Sequence, residues 1–140
     1  MIEGIYALQE WWAGDEVLVA PQVEGRFIIR EGTVLTFLHN RTTAVPRYSG
    51  TLFGRYELGA GTFSYGYDDA LMLVHSPDGL AAGEQLPWTG MREFTVEALG
   101  DAIHVCARSG EGEFHFSAAG FLYLENGKPL RRWRRLNGGA

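Results

Sequence analysis

A single cysteine, Cys106, occurs in the 140 residues. No disulfide can form within the chain, and nothing in it calls for an oxidising compartment. Alone on a strand-like stretch, Cys106 reads as a small buried hydrophobe rather than a reactive thiol. Long apolar runs are missing too: no stretch approaches the roughly 18 residues of a membrane helix. After Met1, the residues Ile2, Glu3 and Gly4 supply neither the basic segment nor the apolar core of a signal peptide. A cytoplasmic protein with no membrane partner is the simplest reading, and the sequon at Asn40, Arg41 and Thr42 carries little weight without export. Positive charge is in deficit, 12 basic against 17 acidic residues for a net charge of −5, which argues against a nucleic-acid partner. The one basic cluster, Arg131, Arg132, Arg134 and Arg135 around Trp133, is divided between two faces by strand alternation.

Helical periodicity is also absent: no window of ten or more residues holds it. The 19 glycines are more than helices of this length tolerate, since glycine costs helices and serves turns and bulges. What takes the place of helices is a series of strand-like segments with turn signals at short intervals. The first runs from Gly4 to Trp12. Arg26 to Arg30 and Thr33 to Asn40 flank a tight turn at Glu31-Gly32, and a strand through Tyr48, Leu52 and Tyr56 carries Gly50 and Gly54 on the same face. Thr62 to His75 follows, with a bulge expected at Asp68-Asp69. Ser76 to Gly90 reads as the longest loop. Arg92 to Leu99, Ala102 to Arg108 and Glu113 to Ala118 form a meander, and a last hairpin, Phe121 to Glu125 and Leu130 to Leu136, turns at Asn126-Gly127. With no repeat and no linker, residues 1–140 are expected to form one all-β domain. An antiparallel up-and-down β-barrel of about eight to ten strands is favoured over a sandwich, because closure removes exposed edges.

Several chemistries lack their residues. Gly59-Ala60-Gly61 precedes a strand instead of a helix, so it is no phosphate or dinucleotide loop. No Gly-x-Ser-x-Gly elbow occurs, and Asp68-Asp69 lacks the further oxygens of a calcium loop. The histidines, His39, His75, His104 and His115, show no metal-ligand spacing. Neither a metal nor a cofactor is expected.

The opening Gly4-Ile5-Tyr6, continued through Leu8 to Trp11, and the Gly25-Arg26-Phe27 strand resemble bacterial lipocalin-like domains of the calycin type. In lipocalins a Gly-x-Trp strand plugs one barrel end with its ring, beneath an arginine from the last strand. Tyr6 stands in that tryptophan's place here, and the resemblance implies that Arg132 or Arg134 covers it.

The clearest positive signal is the alternation Phe63, Tyr65, Tyr67, with Thr62, Ser64 and Gly66 between them. A period of two sends these rings to one face, and in a barrel of about eight strands that interior takes packed side chains or one small ligand. Tyr48, Tyr56, Tyr65 and Tyr67 would give a ligand stacking surface and hydroxyl donors; plain core filling is the competing reading. Arg92, in phase with Phe94 and Val96, reads either as a solvated strand-end charge or as a group at the barrel mouth, suited there to a carboxylate or phenolate. Continued through Leu71 and Leu73, the same alternation brings His75 inside, unless the bulge reverses it. Glu10, in phase with Tyr6, Leu8 and Trp12, would be desolvated into a general acid or base, unless Trp11 is the ring facing the core.

The leading expectation is therefore binding of a small, largely apolar molecule inside the barrel, aromatic or carboxylate-bearing. The alternative is a cofactor-independent lyase, isomerase or cyclase using Glu10 or His75 as proton carrier. A third reading is an interaction module with a filled barrel. Trp88 and Met91 after the long loop are open as a lid or as the contact of a homodimer.

Overall fold

The computed structural model describes residues 2–42 and 47–136, without the side chains of Arg47 and Tyr48. Its elements are strands only: β1 (Gly4–Ala13), β2 (Glu16–Leu18), β3 (Val23–Arg30), β4 (Thr33–Asn40), β5 (Arg47–Gly59) and β6 (Thr62–Ser76) in the first half. The second half adds β7 (Gly79–Gly83), β8 (Arg92–Leu99), β9 (Ala102–Ala107), β10 (Gly112–Ser117), β11 (Gly120–Glu125) and β12 (Lys128–Arg135). Ten of them close an antiparallel up-and-down ring in the order β1-β3-β4-β5-β6-β8-β9-β10-β11-β12, with β12 pairing back onto β1. β2 is a short addition to β1, and β7 pairs β6 alone. The barrel is consistent with a calycin-like fold.

Turn chemistry sets the meander. Glu31 and Gly32 both take positive φ, 51° and 79°, as do Asn126 and Gly127 at 51° and 76°, the left-handed pair that a two-residue hairpin with the native twist requires. The segment after Ser76, expected as loop, departs from the sequence reading. Gly79–Gly83 folds back as β7 against Met72–Ser76, and the remaining residues cross to β8.

Two bulges decide which side chains enter the barrel. In β1 the pairing with β12 shifts between Leu8 and Glu10. Tyr6 and Leu8 face inward before the shift; after it Trp11 is the buried ring, 8% exposed, and Glu10 turns outward. In β6 the register against β5 shifts so that Phe53 pairs with Asp69 and Gly54 with Tyr67. One strand carries an extra residue, Asp68, and alternation restarts in the opposite phase. Phe63, Tyr65 and Tyr67 are buried, then Ala70, while Leu71 is 46% exposed and His75 is exposed. Gly54 is where β5 meets this bulge, and a Cβ there would run into the Gly66 carbonyl. Only glycine allows so close an approach.

Inside, rings interlock. Phe63 and Tyr65 lie 5.5 Å apart and stacked, and Tyr65 stacks in turn on Phe94 at 5.5 Å. Phe114 sits among them from the opposite wall, edge-on to both Tyr65 and Phe94. At one end Tyr6 is fully buried, donates its hydroxyl to the Ile2 carbonyl at 2.6 Å, and meets Phe121 edge-on at 4.8 Å. The guanidinium above its ring, 4.8 Å away, is that of Arg135. The expected cover, Arg132 or Arg134, is corrected: Tyr6 pairs with Arg135 across β1 and β12, which puts Arg135 over the ring, while Arg132 points outward to Glu10.

Candidate ligand-binding cavity

Aromatic packing is incomplete toward the end of the barrel away from the Glu31-Gly32 turn, and a cavity of about 270 Å³ remains there. Tyr65, Tyr67 and Met72 from β6 form one wall, and Thr36, Leu38 and Leu52 from β4 and β5 continue it. Across from them stand Phe114, Phe121 and Tyr123 from β10 and β11, with Trp133 from β12. Pro87 and Trp88, from the segment crossing between β7 and β8, complete the lining.

The tyrosines divide by position. The Tyr67 hydroxyl shares a hydrogen bond of 2.7 Å with buried Thr36, and burial raises its pKa to about 12. Tyr65 is raised well above its ordinary value by burial and by neighbouring Tyr67, against the opposing pull of Arg92 and Arg131. Tyr123 donates to Glu125 at 3.1 Å and is pushed up to about 12, first by burial and then by that carboxylate. All three stay protonated across the ordinary pH range and present hydroxyl hydrogens. Tyr56 is buried but belongs to the opposite end, where its hydroxyl donates to Glu3 and its backbone N–H to Gly32. Tyr48 pairs with Val74 in the ladder; its side chain lies outside the described residues.

Trp88, open in sequence as a lid or a dimer contact, packs onto its own barrel. Its ring meets Tyr65 at 5.1 Å and Tyr67 at 5.3 Å. Arg92 holds its guanidinium 4.1 Å from the Trp88 ring centre, at the start of β8 beside Tyr65. The two expected proton carriers stand elsewhere. Glu10 accepts a 2.7 Å hydrogen bond from Arg132 on the outer surface, and His75 is exposed on β6. For His75 the cause is the bulge expected at Asp68-Asp69, and for Glu10 it is that Trp11 faces the core, the two exceptions left open in the sequence. No protein-family model, no curated protein and no solved structure matches this chain.

Two groups at the cavity escaped the sequence reading. Arg131 lines it, and Glu125 stands at its rim. The signal for Arg131 was present, since it is in phase with Trp133, whose ring is 2% exposed inside the barrel. Splitting the arginine cluster between two faces removed a phosphate patch but also put one arginine inward. Among the described residues no group of histidines, cysteines or carboxylates is arranged to hold a metal ion, and no helix is long and apolar enough to cross a membrane.

Proposed function

We propose that the chain is a lipocalin-like, single-domain cytoplasmic protein that binds one small, largely apolar aromatic molecule in the cavity beneath Trp88. The observation that carries this reading is an unfilled, aromatic-walled space in a barrel whose other end is tightly packed with rings. An apolar cavity of about 150 Å³ already takes a benzene-sized guest, and the space here, about 270 Å³, is in scale with a one- or two-ring molecule. Ring edges and faces on both walls suit an arene. Catalysis has no comparable support, because Glu10 and His75 both lie outside the cavity.

The probe is 3-phenylpropanamide, neutral and soluble, titrated by NMR. Side-chain resonances of Tyr65, Phe114 and the Trp88 indole are expected to shift together, with a dissociation constant on the order of millimolar for so small a ligand. Met72→Trp, which fills the space from its wall, is expected to abolish those shifts in a protein that remains folded. Absence of shifts at the cavity residues up to the solubility limit overturns the reading.

A further inference from the structure

Resting on the binding reading above, we propose that the ligand carries a carboxylate, and that Arg131 anchors it with Trp88 and Tyr65 as further hydrogen-bond donors. The donors and acceptors at this end of the cavity do not balance. The Nε of Arg131 and the indole Nε1 of Trp88 are both buried without a hydrogen-bond partner among the described residues. Both side chains line the cavity. Among the described residues the Arg131 guanidinium forms no ion pair either, and it lies over the Trp11 ring, 4.7 Å from its carbon. The hydroxyl of Tyr65, on the same wall, makes no hydrogen bond to a described residue.

An arginine and an indole donate and cannot accept, and buried donors left unmet are costly. A ligand supplying acceptors relieves that cost, whereas a purely apolar one leaves it in place. Charge points the same way. Arg131 and Arg92 both act on the hydroxyls of Tyr65 and Tyr123, lowering their pKa values against the burial that raises them. Arg131 lines the space, and Arg92 stands next to it over the Trp88 ring. Among the described residues the one carboxylate bordering it is Glu125, which is exposed at the rim, accepts from Tyr123 and forms no ion pair with either arginine. A planar guanidinium matches two carboxylate oxygens. A monoanion suits the site better than a phosphate dianion, which would face Glu125 with more repulsion and leave apolar walls around a larger charge. The apolar body then lies against Phe114, Phe121 and Trp133.

The test compares 3-phenylpropanoate with 3-phenylpropanamide, equal in shape and different in charge, by the same NMR titration at neutral pH. Wild-type protein is expected to bind the acid about tenfold or more tightly than the amide, the usual scale for a charge-assisted hydrogen bond. Arg131→Met should bring the two to parity, with circular dichroism as the check on folding. Arg131→Lys should keep part of the preference, since it retains charge without the fork. Trp88→Phe, which removes only the N–H, should reduce the preference by a smaller factor and remains informative if Arg131→Met does not fold. Equal binding of acid and amide by the wild type, or an acid preference that survives Arg131→Met, overturns the anchor and leaves the cavity reading intact. Failure of both probes to shift any cavity residue removes both.

Discussion

Thr36 and Tyr67 satisfy each other's hydroxyls at the cavity wall. Thr36 is 5% exposed and its hydroxyl lies 2.7 Å from that of Tyr67. Removing one partner strands the other, and a stranded buried hydroxyl costs about 1–3 kcal/mol, whereas replacing both with apolar groups of similar shape comes close to neutral. Tyr67→Phe and Thr36→Val are therefore each expected to lower stability by about that amount in urea unfolding, and the double variant by clearly less than the sum. Additive losses would show that the bond contributes nothing. Glu10 belongs to a different class. Its pairing with Arg132 is half in solvent, and exposed pairs of this kind contribute little. Both residues are polar and both sit on strands rich in rings, so composition does not separate them; only the face does.

Face is a property of the element, and it is where reading from sequence stopped. The rings at Phe63, Tyr65 and Tyr67 were legible because three alternating aromatics outweigh any other pattern in the window. So were the hairpins at Glu31-Gly32 and Asn126-Gly127, because turns of this kind require residues that tolerate positive φ. A bulge has no such strict signature. The paired aspartates marked its place in β6, but the reversal it imposes on Ala70 to His75 depends on how β5 pairs across it, at Phe53 and Gly54. In β1 nothing marked it. Deleting Ala70 while Asp68 keeps its bulge moves Leu71 into the inward place of Ala70, which carries Leu73 and His75 inward and turns Met72 out. That exchange puts an imidazole into an aromatic core and strips the cavity of a wall. The deletion is expected to cost about 3 kcal/mol or more, read as a loss of melting temperature together with loss of cavity binding. Unchanged stability would mean that the strand slips through the Ser76–Gly79 turn instead.

Across the whole molecule, closure gathers tyrosines from distant strands into one ionisation problem. Tyr6 and Tyr67 are raised to about 12 by burial; Tyr123 reaches about 12 by burial and the neighbouring Glu125 carboxylate; Tyr65 is raised well above its ordinary value, mainly by burial. In the unfolded chain each ionises near its ordinary value of about 10. Below that pH both states hold their protons, and these groups leave stability unchanged with pH. As pH rises from about 10 to about 12 the unfolded chain loses protons that the barrel retains, and the equilibrium tips toward unfolding with each group. The four hydroxyls belong to β1, β6 and β11, so the protons retained on folding are spread over a ring that runs through all ten strands. Alkaline unfolding is therefore expected as one cooperative step between about pH 10 and 12, with tyrosinate absorbance for these residues rising together with the loss of strand signal in circular dichroism. Tyrosinate appearing well before the strand signal falls would show that the hydroxyls reach water in the folded state, and a carboxylate added to the cavity should then be found to bind more weakly as they ionise.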